Sequence, residues 1–214
     1  MCCVRFNWSS NMEEVSQNEK VFKLYGKFLV KFEYICHLMR FGILYLVFPN
    51  YSDKQTRQNE ILLESLTADQ IKNKFLALIT EECDSKSETF KLSKIICNVY
   101  ERIIPIRNSF AHGTSFIGNS PVMKDSKDGL LLLRHPKLRK EGLDLNYKKY
   151  EIAALEFGIQ LFERMIYAVA AVSVTFVKKE GKPKYTDGYS PDLHFEALGK
   201  ELLRMEKKLQ GLLK

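Results

Sequence analysis

Apolar positions along most of this chain recur three or four residues apart, the spacing that places them on one face of a helix. Leu24, Phe28, Phe32, Ile35, Met39 and Ile43 predict a first helix from Val21 to about Val47. The stretch Phe41 to Phe48 is apolar nearly all round, so that end must be deeply buried or lie at an interface. Residues 1–18 are polar and aperiodic after Trp8, which predicts a mobile or loosely docked lead-in. Pro49-Asn50 ends the first helix, and the polar run Ser52 to Asn59 is either a loop or a helix start. A second helix is expected to begin in that run and continue through Ile61 to Leu66. A fresh start follows at Thr67, because Gln70 three residues on completes a capping box ahead of Ile71, Phe75, Leu78 and Ile79. After the polar bridge Asp84 to Glu88, Leu92, Ile95, Ile96, Val99, Ile103, Ile106 and Phe110 mark another amphipathic helix. Gly113 stops it, in the left-handed conformation glycine can adopt past a helix end.

The character then changes. Thr114 to Gly118 and Leu130 to Arg134 read as two short strands of an irregular hairpin, separated by a polar segment ending in Asp128-Gly129. Arg134 to Lys149 holds six basic residues against Glu141 and Asp144, and reads as a basic loop, either simply solvated or able to track a phosphate backbone. A long helix from about Tyr147 to Val177 turns Ile152, Leu155, Ile159, Phe162, Ile166 and Val169 inward. Lys178 to Ser190 is a loop. Phe195, Leu198, Leu202, Met205, Leu209 and Leu212 then form a coiled-coil-like seam that packs on the domain or on a second subunit, its own domain being favoured. The expected fold is mainly all-α: an up-and-down helical bundle of four to five helices, with a small β-hairpin-like insertion after the helix ending at Gly113. Its core domain is 19–177, preceded by the lead-in 1–18 and followed by the loop and helix of 178–214.

Composition narrows the class without naming a function. A chain of 214 residues with 45% hydrophobic content fits one domain with one core. The net charge of +7 favours polyanionic partners. Cys2, Cys3, Cys36, Cys83 and Cys97 form an odd set with no Cys-x-x-Cys pair and no histidines at ligand spacing, so free thiols are expected, with no metal site and no cofactor. No apolar stretch follows a basic start, which argues against a secretory signal and for a reducing cytoplasm. The adjacent Cys2 and Cys3 could carry lipid, but nothing else points to a membrane. The longest apolar run, Met165 to Val177, is too short to cross a bilayer.

The chemistry concentrates at the end of the helix closed by Gly113. Arg107 and His112 are five residues apart, about 500° of rotation, and so lie roughly 140° apart on the helix, while Asn108 and His112 share a face. Arg107 must curl round to meet His112, or meet a second copy of it. Pro105 lies just ahead and predicts a kink near Glu101 to Pro105, either re-aiming the last segment or simply tolerated there. Arginine or histidine alone at a helix C-terminus needs only the macrodipole as explanation. The combination Glu101-Arg102, then Arg107-Asn108-Ser109-Phe110-Ala111-His112-Gly113, after a strongly apolar helix, resembles the motif of the HEPN superfamily (higher eukaryotes and prokaryotes nucleotide-binding): Arg, four to six residues, His, often with a polar residue after the Arg. The resemblance spans roughly Phe22 to Val177 and is specific only in the motif.

That resemblance implies a metal-independent endoribonuclease that cuts RNA through its own 2′-hydroxyl, at a composite site between the two protomers of a homodimer. His112 would then transfer protons and activate the nucleophile, and Arg107 would bind phosphate and stabilise charge. Asn108 would orient the site, Ser109 would contact substrate, and Glu33 in the first helix would face the motif. Histidine suits proton transfer near neutrality, and arginine offers phosphate a planar fork of donors. A toxin or antiviral-defence role, with an antitoxin or operon partner protein, follows from the same likeness. One departure counts against a particular toxin–antitoxin arrangement: members modified by a partner nucleotidyltransferase carry Tyr two residues after the motif His, where this chain has Thr114. The alternative is a non-catalytic RNA-binding, nucleotide-binding or dimerisation module built on the same cleft.

Overall fold

The computed structural model describes residues 8–47, 53–118, 129–139, 142–179 and 194–213. Six helices and three strands follow in order: α1 (Trp8–Val47), α2 (Asp53–Glu64), α3 (Ala68–Glu82), α4 (Glu88–His112), β1 (Thr114–Ile117), β2 (Leu130–Arg139), β3 (Gly142–Glu151), α5 (Ile152–Lys179) and α6 (Phe195–Leu212). The protein is thus mainly helical, with one small antiparallel sheet in the order β1-β2-β3.

The stripes seen in the sequence meet in one core. Along α1, Phe28, Phe32, Ile35, Met39 and Ile43 are buried against Leu155, Ile159, Phe162 and Val169 of α5 and against Ile71, Phe75 and Ile79 of α3. Rings link the layers: Phe28 lies 4.7 Å from Phe110 and 4.6 Å from Phe162, and Phe32 stacks on Tyr100 at 4.8 Å between centroids. Close packing of α1 needs glycine at one point, since a Cβ on Gly42 would meet Phe75 at 2.7 Å. Thr67 and Gln70 form the expected capping box at the start of α3. Helix α6 buries Leu198, Leu202 and Leu209 against α4 and α5 of its own bundle.

Four expectations change. Helix α1 starts at Trp8, so residues 8–18 of the predicted lead-in continue it, while 1–7 lie outside the described residues. One contact there is invisible to an apolar pattern: the Gly129 amide donates to Asn18 Oδ1 at 3.4 Å, and Gly118 lies so close to Asn18 that a Cβ would strike its amide. Gly113 is extended (φ −82°, ψ 150°) because the chain passes straight into β1, and among the described residues the left-handed glycines are Gly118 and Gly129 at the turns. The basic stretch after Arg134 is strand rather than loop, and a third strand precedes α5, which begins at Ile152 rather than Tyr147. Leu143, Leu145 and Tyr147 alternate at period two, a strand signal masked by the lysines beside it. Finally, Ile152–Phe176 within α5 is long and apolar enough by length and composition to cross a membrane, although 56% of its apolar 18-residue window is buried inside the protein. Its packing against α1, α4 and α6 is that of a core helix.

Candidate functional site

Helix α4 runs unbroken through Pro105, whose missing amide leaves the Glu101 carbonyl without its usual helical donor. The last turn is fixed by Phe110. Its ring is 1% exposed and touches those of Tyr25, Phe28 and Tyr150 at 5.4, 4.7 and 4.8 Å, and the Tyr25 hydroxyl donates to the Phe110 carbonyl at 2.7 Å. Asn108 and His112 each lie two residues from Phe110, about 200° round the helix, so the same packing that buries the ring turns both away from the core.

They open onto a cleft of about 460 Å³ lined by Glu33, Arg40, Asp69, Arg107, Asn108 and His112 among others. Arg107 Nε and Nη2 donate to Glu33 Oε1 at 3.1 and 2.5 Å, and Nη1 donates to Asn108 Oδ1 at 3.3 Å. The guanidinium carbon sits 5.6 Å from the centre of the Phe32 ring, a cation–π contact with α1. His112 is exposed at the cleft and does not bond to Arg107.

Arg40 is the residue that the motif did not reveal. It lies two turns after Glu33 on α1, lines the same cleft, and donates from Nε to the Leu63 carbonyl at 3.2 Å. Heptad spacing from Glu33 was the available signal. On the opposite wall, Asp69 is held by the Lys72 ammonium at 3.0 Å, which also reaches Glu101 at 3.0 Å. Burial opposes the Lys72 charge, but these carboxylates outweigh it and raise its pKa. Asp69 and Glu33 are thus each engaged by a cation of this chain, and Arg40 with His112 leaves the cleft receptive to an anion. Cys36 forms part of the floor, with its sulfur 2.6 Å from the Tyr100 hydroxyl; burial pushes the Cys36 thiol up, which makes it a poor nucleophile.

The structure therefore brings Glu33, Arg107, Asn108 and His112 together and leaves Ser109 out. Ser109 is 8% exposed on the sheet side of α4, where Lys148 Nζ donates to its hydroxyl at 3.1 Å. Ser109 lies about 160° round the helix from Arg107, and its hydroxyl is taken up on the sheet side by Lys148. Burial raises the Tyr150 phenol, partly offset by its hydrogen bond with Ser109. Of the basic stretch, Arg134 places its guanidinium 5.5 Å from the Phe116 ring centre, Lys148 and Lys149 pair in register with Leu133 and Leu132, and the side chains of 135–147 lie outside the described residues. Among the described residues no group of three or more His, Cys, Asp or Glu side chains could hold a metal ion.

Comparison of the chain with protein-family models, with curated proteins and with solved structures gives no match.

Proposed function

We propose that this protein is a metal-independent endoribonuclease of HEPN type, acting in the cytoplasm as a toxin or phage-defence effector under the control of an antitoxin or operon partner. The observation that supports it most is the convergence of Arg107, Asn108 and His112 on one cleft, with Glu33, distant in sequence, holding the arginine. The reaction needs a base to take the 2′-hydroxyl proton and an acid for the leaving oxygen. The freed 2′-oxygen attacks the phosphorus, the bond from phosphorus to the 5′-oxygen breaks, and a 2′,3′-cyclic phosphate and a 5′-hydroxyl remain.

His112, exposed at the cleft, serves the proton transfers, and Arg107 with Arg40 holds the phosphate oxygens. In the resting cleft Arg107 is engaged by Glu33. Their side chains are 28% and 49% exposed, and such pairs contribute only about 0–1 kcal/mol, so an incoming phosphate can displace the carboxylate. One cleft has one histidine from the motif, and a second protomer supplies the other proton-transfer group in a two-fold dimer.

The test is incubation of the protein with mixed cellular RNA and with tRNA in chelator, beside a His112→Ala variant of equal fold and oligomeric state. Cleavage should leave 2′,3′-cyclic phosphate ends and fall about 10²- to 10⁴-fold in the variant. RNA that is bound in a salt-dependent way but left intact by both proteins would make the cleft a binding module instead.

A further inference from the structure

The cleft that holds Arg107 and His112 has a neighbour. A second hollow of about 140 Å³ opens between α1 and α2, walled by His37 and Phe41 on α1 and by Glu60, Leu63 and Glu64 on α2. Arg40 lines both spaces, and its Nε bond to the Leu63 carbonyl joins α1 to α2 where they meet. One arginine side chain therefore lies between the place proposed for phosphate and the hollow. A nucleotide whose phosphate rests against Arg40 turns its base towards the second space.

The walls of that space are of two kinds. His37 and Phe41 are exposed, with ring centres 6.3 Å apart and planes 32° from each other, a face on which a flat ring stacks. An apolar cavity of about 150 Å³ takes up one benzene ring, so the volume suits a single ring system rather than a whole nucleotide. Glu60 and Glu64, exposed one turn apart on α2, offer only hydrogen-bond acceptors. Two carboxylates repel a further phosphate, and Arg40 on the same rim repels a simple cation. An aromatic face, acceptors and an adjoining cation are satisfied together by an uncharged ring edged with N–H groups.

We infer that the hollow is a nucleobase subsite, selective for guanine, beside the phosphate of a single-stranded RNA. The inference rests on the ribonuclease reading for the phosphate it adjoins. Single-stranded RNA is read by stacking unpaired bases on aromatic side chains and bonding their Watson–Crick edges. Guanine presents two adjacent donors on that edge, N1–H and the N2 amino group, which match the two oxygens of one carboxylate. Adenine and cytosine present one amino group beside a ring nitrogen that is itself an acceptor, and uracil has a single N–H between two carbonyls. Glu60 and Glu64 accept from the guanine edge while Phe41 and His37 hold its face.

Calorimetric titration of the full chain with the 3′,5′-bisphosphates of guanosine, adenosine, cytidine and uridine tests this, because each carries phosphate on both sides of its sugar. Cleavage of a single-stranded RNA of mixed sequence, in chelator, is mapped on the same samples. Guanosine bisphosphate should bind tighter than uridine bisphosphate by about 5-fold or more, the low end of what a bidentate base contact is worth. The double variant Glu60→Ala/Glu64→Ala should bring that ratio near one, and the ratio is insensitive to the charge removed because all four ligands carry the same phosphates. Phe41→Ala should weaken all four by about 5-fold or more, since stacking tolerates any base. The three side chains are exposed, so the circular dichroism spectra should be unchanged. Cuts should fall beside guanines in the parent and lose that preference in the double variant. No binding, equal binding of the four, a guanine preference that survives the double variant, or a Phe41→Ala variant that binds as the parent does would overturn the subsite. Cleavage without base preference would then leave the ribonuclease reading standing alone. A guanine preference lost in the double variant of a protein that cuts no RNA would uphold the subsite and remove the enzyme.

Discussion

Replacing Phe110 by alanine separates a packed last turn of α4 from one that is merely helical. The ring is 1% exposed and in contact with three other aromatic rings drawn from α1 and β3. Losing it forfeits the transfer of a large apolar side chain, about 1.5–3 kcal/mol, and adds a cavity term, because two of the surrounding rings are themselves anchored: Tyr25 by its bond to the Phe110 carbonyl and Phe28 by Phe162. The sum falls in the range of about 3–5 kcal/mol seen for buried Phe→Ala changes. For a chain of this size each kcal/mol corresponds to roughly 2–4 °C, so the melting temperature should drop by about 6–20 °C. Urea unfolding monitored by circular dichroism measures it, with Phe110→Leu as a partial truncation expected to cost less. A loss below about 1 kcal/mol for the alanine variant, at an unchanged slope against urea, would refute the claim that this ring anchors the turn carrying His112.

Two further outcomes follow from buried chemistry elsewhere. Glu206 is 4% exposed, accepts from Arg102 Nη1 at 2.9 Å and leaves its other oxygen without a partner, so Arg102→Met should cost about 2–3 kcal/mol by stranding the carboxylate, less than for a fully buried pair because Arg102 is 61% exposed; Glu206→Met should cost under about 1 kcal/mol, and equal losses in urea melts would contradict the argument. Burial pushes the Cys97 thiol up to about 12 from 9.0, so the folded chain keeps a proton that the unfolded chain gives up. That contribution to stability is complete below about pH 9 and is lost as pH rises towards 12, at up to about 1.4 kcal/mol per pH unit; Cys97→Ala should flatten the fall in urea midpoint between about pH 8 and pH 10.5, and an unchanged slope would exclude Cys97 as its source.

The spacing of apolar residues was enough to determine most of the helical architecture, because a side chain's place on a helix follows from its position in the chain. The capping box at Thr67, the inward stripes of α1, α3, α4 and α5, and the seam of α6 were all legible in this way. So was the partition of the last turns of α4, where Asn108 and His112 share a face. The sequence also carried the alternation of Leu143, Leu145 and Tyr147, a strand signal that the adjoining lysines mask. Other features depend on how one element is rotated and shifted against another, which no local spacing encodes. Glu33 reaches Arg107 from 74 residues away because the Phe32–Tyr100 and Phe28–Phe110 contacts set α1 and α4 in register. The same rotation brings Arg40 into the cleft and sends Ser109 to Lys148 on the far side. Helix α1 could be seen to have apolar residues left over, but which of them the bundle would cover was decided only when α3, α4 and α5 packed around it. Burial is a property of the assembled core, and a helix with two apolar sides does not reveal in its own sequence which side the core will take.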